Sequence, residues 1–158
     1  LTSNSVADPE FIQWLGGAIK AARLPSDAVI FQITEQDAST YVRQTREFVE
    51  GLKNLHCRSS LSRFGLVSAS FEVLGHIPVD FVKLDGALIE TLDQDPSKKG
   101  EITELVRELQ NLGKLTIVPM VESASLLSTL WQAGVNYIQG HYLQEPSTNM
   151  DYDFSTDD

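Results

Sequence analysis

Five short apolar runs alternate with helix-forming segments along this chain, and that order restricts the fold more than any other feature. Asp8-Pro9-Glu10 reads as a helix start, with a capping side chain, proline at the first helical position and an early acid. Phe11, Leu15, Ala18, Ile19 and Ala22 then recur at helical spacing. After the break at "LPSD", "AVIFQIT" (28–34) predicts a strand, and Tyr41 to Leu52 carry a long helix over about 37–55. "CRSSLS" predicts a second strand, followed by a short helix near 70–74, and "DFVKL" a third strand. Ile102, Leu105, Val106, Leu109 and Leu112 form an amphipathic helix closed by Gly113. "KLTIVPMV" predicts the fourth strand, Ser123 caps the next helix, Gly134 closes it, and "VNYIQG" is the fifth strand.

Strands separated by helices, and apolar enough for burial on both faces, predict a parallel sheet with right-handed crossovers. The sheet could be open and doubly wound, or an arc of a (β/α)8 barrel. No glycine-rich phosphate loop follows any strand, which weakens the dinucleotide-fold option. In a barrel, polar residues at strand C-terminal ends are the place to look for function. Here these are Gln32 with Glu35, Ser62 with Arg63, Lys83 with Asp85, Glu122, and Gln139. Five strands do not close a barrel of eight, so a barrel reading expects further polypeptide before Leu1.

Length and composition fit one folded domain: 158 residues, 42% hydrophobic and 22% charged. The net charge of −10 argues against general nucleic-acid binding, which needs a basic footprint. The apolar runs are too short to span a membrane, and no basic-then-apolar leader is read at the N-terminus. The single Cys57 excludes an internal disulfide and fits a buried residue in a reducing cytoplasm. His56, His76 and His141 lack metal-ligand spacing, and Trp14 and Trp131 fall in helical patterns as packing residues.

Taken in order, "SVADPEF", "FQITEQD", "SLSRFG", "IPVDFVKLDGALI" and "IVPMVESASLLSTLWQAGVNYIQGHYLQEPS" resemble the EAL family, the bacterial cyclic di-GMP phosphodiesterase domain. The resemblance covers Leu1 to about Ser147. It implies that residues 1–147 are the C-terminal two-thirds of a TIM-like (β/α)8 barrel, holding about five β/α units, with 148–158 an acidic tail. Active members hold Mg²⁺ or Mn²⁺ on carboxylates and an asparagine at strand ends. Such a cluster suits phosphodiester hydrolysis, because hard cations need oxygen ligands and generate a metal-bound hydroxide.

Carried onto this chain, the family pattern is degenerate. The Glu-x-x-Glu strand end reads Gln32-Ile33-Thr34-Glu35, which leaves an amide for the metal-binding acid and keeps the loop-stabilising Glu35. The paired aspartates before Phe-Gly are Ser62 and Arg63. The catalytic acid of the fourth strand end is Pro119, while the distal Glu122 is kept. Lys83, Gln139 and Pro146 are also kept. The resemblance is closest to a degenerate branch that regulates type IV pili, binds cyclic di-GMP without hydrolysing it, and works with a small PilZ-domain adaptor. It therefore implies a cytoplasmic nucleotide receptor and no enzyme, with no metal cofactor and no membrane insertion. Ser62, Arg63, Lys83, Met120, Glu122, Gln139 and Pro146 form its expected ligand site. Arg63 and Lys83 would meet phosphates, Glu122 a guanine edge, and Met120 a purine face.

Each of these residues also has an ordinary alternative. Lys83 and Arg63 could be solvated surface cations, Gln32 a loop-facing amide, and Glu122 an acid that favours a helix N-terminus. At the level of function, a protein-interaction scaffold that has lost the nucleotide and an active phosphodiesterase remain the rivals.

Overall fold

The structure, a computed structural model, describes residues 1–142 together with 148 and 149. Pro146 and the expected domain end at Ser147 lie outside the described residues, as does the acidic tail beyond Asn149. Eight α-helices and five strands are described: α1 (Ser3–Ala7), α2 (Phe11–Ala22), β1 (Ile30–Thr34), α3 (Glu35–Thr40), α4 (Val42–Asn54), β2 (Arg58–Phe64), α5 (Ser70–His76), β3 (Phe81–Leu84), α6 (Gly86–Gln94), α7 (Lys99–Asn111), β4 (Leu115–Val118), α8 (Ala124–Gln132) and β5 (Tyr137–Ile138). Every strand pair is parallel, and the spatial order is consecutive, β1-β2-β3-β4-β5.

That order decides between the two architectures. A doubly wound sheet reverses direction once, which places helices on both faces. A consecutive order with right-handed crossovers places every helix on one face, and the sheet curls into an arc of a (β/α)8 barrel. Alternation along the strands agrees. Ile33, Leu61, Val82, Leu84 and Val118 are buried in one core with helical residues such as Val49, Leu52, Val106, Leu109 and Leu130. The other face carries Gln32, Ser60, Phe81, Lys83, Ile117 and Tyr137, linked across the sheet by register. Phe81 packs there against the Tyr137 ring, with centroids 5.9 Å apart.

The expected strands are all present, and the differences have local causes. The helix expected over 37–55 is two helices, α3 and α4, broken at Tyr41 (φ −129°, ψ 51°). The hydroxyls of Ser39 and Thr40 both donate to Gln36 O, which competes with the helical ladder just before the break. Thr34 caps α3 by accepting from Asp37 N–H at 3.1 Å, so helix follows strand with no loop. Helix α2 begins at Phe11, because Asp8 Oδ1 accepts from Glu10 N–H at 2.9 Å in a turn that precedes it. Helices α1 and α6 were not foreseen; α6 is capped by Asp85, whose Oδ1 accepts from Ala87 N–H. Trp14 and Trp131, expected as packing residues, are 65% and 73% exposed: they lie on the outer sides of α2 and α8.

Candidate functional site

The C-terminal ends of the strands converge on one side of the arc, and each sequence-predicted residue outside the undescribed segment lies there. The β2 end is irregular. Between Leu61 and Phe64 the register against β3 slips by one residue, a β-bulge, and Arg63 occupies the left-handed region at φ 57°. Ser62 is buried, and its hydroxyl donates to Ile33 O on β1 at 3.3 Å. Arg63 is exposed, and its side chain makes no hydrogen bond or ion pair among the described residues. The bulge thus spends the serine on the sheet and presents the guanidinium outward.

Next to the bulge, Gly65 N–H donates to Glu35 Oε2 at 3.2 Å. Glu35 is buried at the start of α3, and its second carboxylate oxygen, Oε1, is buried with no hydrogen-bond partner among the described residues. Gly65 itself has φ 103°, a conformation that side chains avoid.

Lys83 and Gln139 come from β3 and the end of β5, 56 residues apart in sequence, and meet directly. Lys83 Nζ donates to Gln139 Oε1 at 2.7 Å. This contact fixes the amide, so its NH₂ group turns away from the ammonium. The β4 end leads through buried Pro119 into Met120, which has φ 58° and is 42% exposed, and then to exposed Glu122. Ser123 Oγ then accepts from Leu126 N–H at 3.3 Å and starts α8. Glu122 therefore sits just outside a helix N-terminus, as its ordinary alternative required, on the same side as Lys83 and Gln139.

Two glycines that sequence reasoning passed over set the shape of the site. A Cβ on Gly86, the first residue of α6, would lie 2.3 Å from Met120 Sδ, so the thioether rests on bare backbone. A Cβ on Gly140 would lie 2.1 Å from Val121 O and 2.4 Å from Val121 N. Val121 N–H donates to Gln139 O at 3.1 Å, and Tyr142 N–H donates to Val121 O at 3.3 Å, which ties the β4 and β5 loops together. The available signal was a glycine two residues past a strand end, at "LDG" and "IQG".

The charged side chains at these strand ends are Arg63, Lys83, Glu122 and the buried Glu35, with Asp85 committed to its helix cap. Among the described residues no group of three or more His, Cys, Asp or Glu is placed to hold a metal ion. No helix among the described residues is long and apolar enough to cross a membrane.

The chain matches the EAL domain family over residues 1–146. It is 48% identical to the FimX EAL domain of Pseudomonas aeruginosa, whose crystal structure was solved bound to c-di-GMP, with a TM-score of 0.92 over 98% of this chain and 64% of that one. The Xanthomonas citri FimX EAL domain in complex with c-di-GMP is 27% identical, with a TM-score of 0.89 over 98% of this chain and 61% of that one. The cyclic di-GMP phosphodiesterase PdeB of Shewanella oneidensis is 26% identical over 152 residues, 96% of this chain and 18% of that protein. The chain thus spans less than two-thirds of these solved domains and about a fifth of that curated relative.

Proposed function

From the premise that this chain belongs to the EAL domain family, we propose that it binds cyclic di-GMP without hydrolysing it and reports the bound state to a partner protein. One observation carries the reading. The exposed guanidinium of Arg63 stands at the bulge where the family pattern has an acid. A cation there repels a divalent metal, and the replaced acids leave little to offset it: the Ser62 hydroxyl donates to Ile33 O, and the Pro119 side chain has no ligating atom. The side chains present do not fit Mg²⁺ or Mn²⁺, and no catalytic step is derived through either. Glu35 is the proposed loop-stabilising residue, acting through Gly65 N–H.

Binding needs less than cleavage. Arg63 and Lys83 are proposed to face the phosphates, where a planar fork and a point charge can offset charge that metals do not. The Gln139 amide, oriented by Lys83, offers donors beside them. Glu122 is the proposed acceptor for the donor edge of guanine. Met120, resting on Gly86, offers a polarisable surface to a purine face. Ser62 shapes the wall, and Pro146 completes the proposed set. Two solved relatives, both FimX EAL domains, hold c-di-GMP, which supports the same ligand here. Control of type IV pili, through a PilZ-domain adaptor in the cytoplasm, is proposed on the resemblance to the degenerate branch.

Calorimetric titration of the full-length protein with cyclic di-GMP in EDTA tests the receptor reading, with a parallel hydrolysis assay in Mn²⁺. Saturable heat and no linear dinucleotide are expected. Linear product would restore the phosphodiesterase, and absence of heat would leave the scaffold reading.

A further inference from the structure

At the opposite pole, toward the N-terminal ends of the strands, the middle of α4, the end of α5 and the turn into β4 line an open cleft of about 410 Å³. Arg46, Glu50, His76 and Lys114 supply its polar lining, and Leu74 and Leu112 supply apolar wall. Arg46 Nε donates to Glu50 Oε1 at 3.0 Å, which leaves the two terminal guanidinium nitrogens as an open fork. Lys114 Nζ donates to Val79 O at 2.8 Å, using one of three ammonium protons. His76 is exposed at the last turn of α5.

Two nearby acids are hydrogen-bonded but keep their charge, and Asp80 acts on Lys114 to favour its ammonium. Glu50 holds Arg46, and Asp80 Oδ2 accepts from Ser59 N–H and Ser59 Oγ. Lys53 adds positive charge close enough to act on Lys114. Burial and this neighbouring cation both disfavour the Lys114 ammonium, a cost that a bound anion would offset. In a chain of net charge −10, Arg46 and Lys114, with Lys53 close by, give this concavity a cationic lining against the single acid Glu50.

We propose that this cleft binds a phosphate monoester bearing a small apolar group, with Arg46, His76 and Lys114 on the phosphate and Leu74 and Leu112 against the organic part. An outward fork beside a lysine with spare protons matches tetrahedral oxyanion geometry. The volume lies within the range of small-molecule sites and leaves space beyond the phosphate. Helices α4 and α5 point their C-terminal ends here, so their dipoles oppose an anion and side chains must supply the attraction. The site is independent of the nucleotide reading, being at the far ends of the strands.

The probes are phenyl phosphate and inorganic phosphate, titrated by calorimetry into the full-length protein. Phenyl phosphate is expected to saturate, with inorganic phosphate weaker, and Arg46→Gln and Lys114→Gln each weakening it about tenfold. Cyclic di-GMP binding should be unchanged in both variants. His76→Gln, at an exposed position, gives the same comparison without risk to folding. No saturation by about 10 mM phenyl phosphate, or equal affinity in all three variants, would overturn the proposal.

Discussion

Replacing Gly140 by alanine is the sharpest test of how the site is held together. The added methyl would sit 2.1 Å from Val121 O, 2.4 Å from Val121 N and 2.7 Å from Val121 C. Carbon–oxygen contacts rarely close below about 3.3 Å, so the two segments must part by about 1 Å. The obstacle is backbone and cannot rotate away. Separation stretches the hydrogen bonds Val121 N–H to Gln139 O and Tyr142 N–H to Val121 O. Each contributes about 1 kcal/mol net, and forced overpacking costs about 1–3 kcal/mol more. The sum is about 3–5 kcal/mol, a fall of about 6–20 °C in Tm for a domain of this size.

Gly86→Ala is the matched control. Its methyl meets Met120 Sδ at 2.3 Å, but the obstacle is the flexible end of a half-exposed side chain. Alanine also favours the helix by up to about 1 kcal/mol over glycine. Gly86→Ala should therefore hold or raise Tm while displacing Met120, and Gly140→Ala should lower Tm. Calorimetric scans of both variants decide the matter. A Gly140→Ala protein melting within about 2 °C of the unsubstituted protein would refute the clamp, since about 1 kcal/mol already shifts Tm that far.

Three further outcomes follow from single contacts. Lys83→Met removes the ammonium and frees Gln139, so cyclic di-GMP affinity should fall at least about tenfold with Tm nearly unchanged, measured by calorimetric titration. Glu35→Ala leaves Gly65 N–H without its acceptor and should cost about 1–3 kcal/mol in urea unfolding; Glu35→Gln, which keeps an acceptor oxygen, should cost less. Burial first, and Lys53 second, hold Lys114 below the ordinary lysine value of 10.5. Its folded form then binds fewer protons than the unfolded chain, so its contribution to stability rises with pH up to 10.5 and is smallest where both states are protonated. Urea midpoints between neutral pH and pH 10.5 should show a smaller alkaline gain in Lys114→Met.

The fold was legible because its main signal is repetitive. Each strand run had to be buried against helices, and the period changed at each junction, so five β/α units could be counted before any contact was known. The signal failed where local hydrogen bonds beat periodicity. Tyr41 looks like one more apolar position in a continuous helix, yet hydroxyls at 39 and 40 terminate α3 ahead of it. Trp14 and Trp131 show the other limit. Periodicity assigns a residue to a helix, but which residues face the sheet depends on rotation about the helix axis, and both rings turn outward.

Legibility of the site divides along the same physical line. Residue type alone tells that Arg63 is cationic and that the Pro119 side chain has no ligating atom, and the proposed loss of metal binding rests on those two letters. Conformation could not. The left-handed φ of Arg63 and the one-residue slip beside it follow from pairing between β2 and β3, a relation among residues about twenty apart. The Lys83–Gln139 hydrogen bond likewise exists only because β3 and β5 flank β4, and the two glycines matter only for what lies above them. The chemistry of the pocket was therefore written in single letters, while its shape is a property of strand order. Substitutions that change a charge there should act on the ligand, and those at Gly140 on the frame that presents it.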